Sequence, residues 1–524
     1  MKYAIMTRNR DPKWKFRFNG AMTRKRRSLL LFGVLAITSF FRFYHLAATP
    51  PGLYIDEAMD GVNAQNVAQT GQFKVYYPED NGREGLYVNI LALAFRYHLL
   101  PDTVPWSLRM PAAVSGVLTV LGVYLLVTEL FTDSIALLSA FFLATSFWHI
   151  NFSRIGFRAI LAPFCLSWAM YFLLKACRGN RLRNRTLRAG EGTAKYFLYA
   201  VAGGVFYGLG FYTYIAFRIT PLLLPIPIIF FRKEPAVWKC AAFFLIVTFL
   251  VALPIGWHYL HHPADFFSRT AQLSVTRSAT PLAVVAGNTY KTALMFNWRG
   301  DRNWRHNVSR EPQLYWPVGI FFLLGMILCA TGFPKKHSGL AAGDSQFAIL
   351  FLIVWFILGA LPEILSDAGI PHALRAILMV APAMIFAAIG AFWVYCRLAA
   401  KLDAGWMAAI TACFLAFLGA AAYRQYFVTW ARNPNVAAAF DADYVAIGKQ
   451  INALPPSTEK YVVVAGGILD YGIPSAAEAV LYVTHSFVPD AAAQKHVGHI
   501  HFLLPDQIDQ IPSGTARSAI FEIR

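Results

Sequence analysis

The chain has 524 residues, of which 57% are hydrophobic and only 14% charged, with a mean hydropathy of +0.46. A soluble domain carries about 25% charged residues, and this much apolar surface cannot be enclosed in one globular core, so a water-soluble protein is excluded. The net charge of +19 does not indicate nucleic acid, because the basic residues gather at the ends of apolar runs, above all in Met1–Arg27 and Arg178–Lys195, as they do in cytoplasmic loops.

The basic tail, residues 1–27, precedes an apolar run that lacks a small-residue cleavage site, so a retained span rather than a secretory leader is expected. Apolar segments then run over 28–44, 108–130, 133–149, 159–177, 196–214, 219–231, 240–258, 315–333, 346–365, 374–396 and 405–422. A spanning helix needs about 17–25 such residues. A further segment, Leu86–Leu100, is shorter and holds Asn89, Arg96 and His98. With the tail in the cytoplasm and this segment left out of the count, the basic loops 178–195, 232–239, 334–345 and 397–404 all fall inside. Counting it as a crossing would put all four outside. The expectation is an all-α polytopic membrane protein with about eleven transmembrane helices, twelve or thirteen being left open, and with Leu86–Leu100 interfacial or re-entrant.

This topology leaves two long outer loops, 45–107 and 259–314, and an outer tail, 423–524, beyond the transmembrane domain 28–422. In the tail, Lys460–Val464, His499–Leu504 and Ala516–Ile523 read as strands and Ser475–Val483 as a helix, a small α/β domain on the periplasmic side. The six cysteines lie in or beside apolar segments, with no CxxC pair and no disulfide framework. Neither a P-loop nor a dinucleotide fingerprint occurs, and no His/Cys spacing of a metal site.

The chemistry concentrates in the first outer loop. It reads Pro50-Pro51-Gly52-Leu53-Tyr54-Ile55-Asp56-Glu57, then a helical run from Ala58 to Thr70, then Asn81-Gly82-Arg83-Glu84-Gly85 before the next apolar segment. Taken alone, an Asp-Glu pair in an exposed loop is a helix cap or solvated surface, and Asp56 can cap the helix that follows it. The topology also brings Arg83, Arg154, Arg158, Arg218, His372 and Arg375 to the outer face, against the positive-inside bias. These are candidates for holding a phosphate by forked hydrogen bonds; the bland alternative is helix-end cations reaching for the interface. The loop around Asn297–Asn303, with Asp301, is polar and aromatic and open to either a solvated or a substrate-facing role.

An Asp-Glu pair opening the first outer loop, an amphipathic helix, and a Gly-rich turn with an acid before an apolar run together resemble the C-type glycosyltransferases. The closer resemblance is to bacterial relatives of the dolichyl-phosphate-mannose protein mannosyltransferases and to the lipid A aminoarabinose transferases. It extends through His149–Arg158, Tyr212–Arg218 and Pro371–Arg375. In the aminoarabinose transferases the later loop acid is followed by Lys-Pro, whereas here Glu84 is followed by Gly85, which sets that acceptor apart. The resemblance implies Asp56 as catalytic base, Glu57, Glu84 and Asp301 as supports of the active site or acceptor, and Arg83, Arg154, Arg158, Arg218, His372 and Arg375 as donor-phosphate ligands. It implies a polyprenyl-phosphate-linked sugar as donor and a protein, lipid or glycan hydroxyl as acceptor, with membrane lipids around the chain and no nucleic acid. No cofactor is required, although the first-loop acids could hold a divalent cation. A secondary transporter and a non-catalytic membrane scaffold of this fold are the alternatives, but transporters place polar groups at mid-membrane on broken helices in repeated halves. Here the acids gather in an outer loop.

Overall fold

The computed structural model describes residues 22–79, 82–186, 193–234, 237–332, 342–367, 369–466, 469–470, 473–488, 494, 496–511 and 518–523. Most of the basic tail, and parts of the loops expected over 178–195 and 334–345, therefore lie outside the described residues. The first helices are α1 (Arg24–Phe43), α2 (Ile55–Thr70), α3 (Leu86–Arg96), α4 (Pro105–Leu130), α5 (Asp133–Thr145), α6 (Phe147–Phe152), α7 (Leu161–Thr186) and α8 (Thr193–Gly210). Among the described residues, six helices are long and apolar enough to cross a membrane: Pro105–Leu130, Arg158–Arg178, Val237–His261, Asp344–Ile364, Ile377–Ala399 and Ala404–Trp430. Shorter apolar helices cover Leu86–Arg96, Asp133–Thr145, Ile215–Phe230 and Trp316–Ala330. The expected segment Leu86–Leu100 is thus an 11-residue helix, roughly 16 Å long and well short of a bilayer.

Burial sorts these helices into an inner and an outer set. The apolar window of Ile377–Ala399 is 78% buried, whereas that of Ala404–Trp430 is 11% buried. The outer helices present Phe249, Leu250, Trp257, Trp406 and Ile410 outward. A continuous apolar exterior of this extent is stable only against lipid, and the chain is a membrane protein.

Two corrections to the sequence reading have clear causes. The segment expected as one helix over 219–231 is a 3-10 stretch, Ile215–Leu223, followed by a short helix, Pro225–Phe230. Pro221, Pro225 and Pro227 each lack the N–H that a continuous α-helix needs. The outer loop 259–314 contains helices Pro263–Leu273 and Pro281–Leu294, each with proline in its first turn.

Side-chain contacts divide the helix ends into two groups. At one end Arg27 of α1 meets Asp133 of α5 at 3.3 Å, and Lys175 of α7 meets Glu129 of α4 at 2.7 Å. At the opposite end converge the exit of α1, the starts of α2, α4 and α7, the exit of α8, and the loops around 259–266, 301–307 and 372. The C-terminal region joins this second group. Its strand β3 (Glu459–Val464) lies between β7 (Ile500–Leu503) and β8 (Ser518–Ile523), parallel to both, with β6 (His496–Val497) antiparallel to β7. The nearby helix Glu478–Thr484 packs on α2: Gln65 Nε2 donates to the Tyr482 carbonyl at 3.0 Å, and Tyr482 Oη donates to the Val104 carbonyl at 3.1 Å. Gly61 makes this approach possible, because a Cβ there would meet the Tyr482 ring at 2.6 Å.

Candidate active site

Helix α2 is fixed from every side, and this fixation positions its first turn. Asp56 and Glu57 stand at its N-terminus, where carboxylates are favoured by the helix dipole. At its far end Gly71, at φ +74°, takes the left-handed conformation and returns its N–H to the Val67 carbonyl. Asp56 is half-buried, while Glu57 is wholly buried. Successive helical residues point about 100° apart, and here the two acids have different partners. Glu57 receives Arg109 Nε on Oε1 at 3.1 Å and Nη2 on Oε2 at 3.2 Å, and also accepts the Gly156 N–H. Arg109 donates further to the Pro50 and Gly52 carbonyls, each at 2.6 Å. Glu57 therefore ties α2 to α4 and to the turn before α7.

One turn on, Asp60 accepts Arg83 Nη1 at 2.8 Å, both side chains being essentially inaccessible. Burial pushes the Asp60 carboxyl above the usual range, against the downward pull of Arg83. The same Nη1 reaches the Asp56 carbonyl at 3.1 Å, so Arg83 locks the backbone under the candidate base. The two-stranded ribbon β1 (Tyr76–Tyr77) and β2 (Arg83–Glu84) places Glu84 directly after Arg83, on the other side of the strand. Glu84 is shared: Arg158 Nε approaches Oε2 at 3.3 Å and Arg218 Nη2 approaches Oε1 at 3.4 Å. Arg218 also donates to the Phe266 carbonyl at 2.8 Å and lies over the Tyr259 and Phe266 rings. Asp56 is within electrostatic reach of Arg158 and Asp60. The structure thus brings together Asp56, Arg83, Glu84, Arg158 and Arg218, residues spread over 162 positions of sequence.

The other expected site residues lie elsewhere. Arg154 is fully buried; its Nη1 and Nη2 donate to the Phe41, Arg42 and Thr49 carbonyls at 2.9 Å, and it lies over the Tyr426 and Phe427 rings. It closes the exit of α1. Asp301 is buried, with Oδ2 taking the Ala373 N–H at 2.8 Å and His306 Nδ1 at 3.0 Å, while Oδ1 takes the Asn303 N–H at 2.8 Å. Burial pushes its carboxyl up, but the His306 hydrogen bond and charge outweigh that and hold it below the usual range. His372 lies against His306 with ring centroids 4.7 Å apart and the planes tilted by 55°, and burial, then the neighbouring His306, holds it well below the ordinary histidine range. Arg375 belongs to this group as well, within reach of His372 and Glu363.

Sequence reasoning missed Asp60, Arg109, Arg305 and Asp441. Arg305 lies over the Tyr54 ring at 5.1 Å, two residues before Asp56. Asp441 accepts the Ile55 N–H and so caps α2 from the C-terminal region. An arginine inside an apolar run, as Arg109 is, was the one available signal of a buried ion pair. Among the first-loop acids, Glu57, Asp60 and Glu84 each face an arginine.

Residues 90–257 match the family model of dolichyl-phosphate-mannose-protein mannosyltransferases. No curated protein matches the chain significantly. Among solved structures, the oligosaccharyltransferase of Archaeoglobus fulgidus tethered to an acceptor peptide is similar over 88% of this chain, at 16% identity and a TM-score of 0.55. The chain spans 63% of the length of that protein. ArnT from Cupriavidus metallidurans, bound to undecaprenyl phosphate, is similar over 95% of this chain and 93% of its own, at 13% identity and a TM-score of 0.51. By its fold, and by the family match over residues 90–257, the chain resembles the C-type glycosyltransferases, as the Asp56–Glu57 loop led us to expect.

Proposed function

We propose that this chain is an inverting glycosyltransferase that moves a sugar from a polyprenyl-phosphate donor to an acceptor hydroxyl on the periplasmic face of an inner membrane. The observation that carries the reading is the disposition of charge around Asp56. Arg83 is matched by Asp60 and Arg109 by Glu57, but Arg158 and Arg218 share the single carboxylate of Glu84. A half-accessible carboxylate, Asp56, therefore stands within electrostatic reach of Arg158, whose ion-pair partner Glu84 is shared with Arg218. That is the arrangement a base and a departing phosphate require.

The chemistry follows from these groups. Asp56 takes the proton of the acceptor hydroxyl as its oxygen attacks the anomeric carbon from the face opposite the phosphate. The bond from that carbon to the phosphate oxygen breaks, and its electron pair leaves with the polyprenyl phosphate. Arg158 and Arg218 meet the charge that develops on the leaving group, where fixed donors are most effective. No general acid is needed, because phosphate is already a good leaving group. Glu84 holds both guanidinium groups in place before the donor arrives, while Arg83 fixes the Asp56 backbone. The neighbours bound to undecaprenyl phosphate and to dolichol phosphate support a polyprenyl-phosphate carrier. The reading carries with it about eleven crossings, the N-terminus inside and the C-terminus outside, on the distribution of basic loops.

The test is Asp56→Asn in membranes supplied with radiolabelled polyprenyl-phosphate sugar. Turnover should fall roughly 10²–10⁴-fold with unchanged protein level and melting temperature. Wild-type turnover in this variant would remove Asp56 as the base.

A further inference from the structure

Asp301, His306 and His372 each offer one ligand atom, and these three atoms lie within 4.8 Å of one another. They come from two separate segments, the loop after helix Pro281–Leu294 and the turn before the 3-10 stretch Ile377–Met379. We propose that this cluster is a binding site for one zinc-type divalent cation, separate from Asp56 and serving to pin the 295–314 loop to the 366–376 turn.

Two observations support it. First, the spacing suits a small tetrahedral ion. Two ligands about 2.0–2.1 Å from a common centre stand roughly 3.3 Å apart, and His306 Nδ1 and Asp301 Oδ2 already stand 3.0 Å apart. The third ligand atom, on His372, lies within 4.8 Å of both. Second, the surroundings contain buried polar atoms with no hydrogen-bond partner among the described residues. They are His372 Nδ1 and, on the adjoining Glu363, Oε2. Glu363 is fully buried, and its Oε1 accepts the His372 backbone N–H at 2.7 Å. Such atoms are rare unless an unseen partner satisfies them. Two imidazoles with one carboxylate favour Zn²⁺ over Mg²⁺ or Ca²⁺, which prefer all-oxygen ligands.

The consequence is positional. His306 adjoins Arg305, whose guanidinium lies over Tyr54 and whose carbonyl accepts Asn151 Nδ2 at 2.6 Å. Ala373, beside His372, gives its N–H to Asp301 and its carbonyl to Trp148 Nε1 at 3.0 Å. An ion here would fasten two outer segments to each other and to α6, next to the loop that leads into Asp56.

The experiment uses the full chain, purified without a histidine tag, stripped with chelator and dialysed against Zn²⁺. Metal analysis should find about one Zn²⁺ per chain, and Zn²⁺ at about a hundred times its Kd should raise the melting temperature by several degrees. Co²⁺ in its place should give the visible absorption of a four-coordinate centre. His306→Gln with His372→Gln should abolish the stoichiometry, the thermal shift and the Co²⁺ spectrum, whereas Asp56→Asn should keep all three. Retention of Zn²⁺ by the double variant would overturn the proposal. So would a wild-type protein with neither stoichiometric Zn²⁺ nor a Co²⁺ spectrum, a measurement that does not depend on the variant folding.

Discussion

Glu57→Gln separates scaffold from chemistry at adjacent positions. The wild-type carboxylate faces Arg109 with both oxygens, at 3.1 and 3.2 Å, and both side chains are at most 1% exposed. Glutamine keeps the shape and one acceptor, so the Gly156 N–H can remain satisfied. The Arg109 charge would then be buried with only the Pro50 and Gly52 carbonyls around it. Removing one partner of a buried pair costs about 3–5 kcal/mol, a loss of roughly 10²–10⁴-fold in the folded-to-unfolded ratio. Purified protein in nanodiscs, melted while tryptophan fluorescence is followed, should show a clearly lowered midpoint for Glu57→Gln and none for Asp56→Asn. Replacing both partners, with Glu57→Leu and Arg109→Met, should recover part of the loss, because no unpaired charge is left. A Glu57→Gln protein that melts like the wild type, yet loses transfer as completely as Asp56→Asn, would refute the assignment of Glu57 to the scaffold.

The arginines that share Glu84 should bear on the donor: Arg158→Gln or Arg218→Gln should each weaken donor use by about 1.5–3 kcal/mol, read as a rise in apparent KM or a fall in turnover. Lys175→Gln, at the opposite end of the bundle, should leave both constants alone. The Asp441 carboxyl is pushed up to about 6 by burial, against the Arg305 charge and the Ile55 N–H. A raised carboxyl pKa means that its contribution to stability is fully present below the unfolded value near 3.9 and is lost as pH rises through about 6. The melting midpoint of Asp441→Asn should therefore gain on the wild type between about pH 4 and pH 6, and parallel profiles would exclude this carboxyl as the cause. Reporter fusions after residue 185 and after residue 524 should report cytoplasm and periplasm respectively; a cytoplasmic signal at residue 524 would invert the topology and with it the face on which Asp56 works.

The bundle was legible because lipid exposure demands long uncharged runs, and each of the eleven runs contains helix in the structure. What composition could not convey was the state of the chain within a run. The Ile215–Leu223 stretch is as apolar as its neighbours, and only its prolines tell it apart from an α-helix. The strands Lys460–Val464 and His499–Leu504 were visible from their β-branched and aromatic residues; the strands found are β3 and β7, paired in parallel register with Tyr461 opposite His501. Helix Ala404–Tyr423 runs on as a π-helical segment through Trp430, beyond the expected end at residue 422, and Trp430 Nε1 reaches the Trp304 carbonyl at 2.8 Å. Nothing in the local sequence marks that continuation; the contact that accompanies it comes from 126 residues away.

The site shows the same division more sharply. The expected residues were chosen for chemical type and for the face that topology gave them, and both criteria treat every outward arginine alike. Folding does not. Arg154 and Arg158 are four positions apart, yet one turns to three backbone carbonyls and the other to a carboxylate 74 residues away. A buried guanidinium must satisfy its donors with whatever lies nearest. Where that is backbone, the arginine serves the scaffold; where it is an acid shared with a second arginine, each guanidinium has only part of a carboxylate as its ion-pair partner. The useful test of an outer arginine in such a chain is therefore how many carboxylates stand against it. By that measure Arg158 and Arg218, with one carboxylate between them, are the pair to which an anionic donor would be drawn.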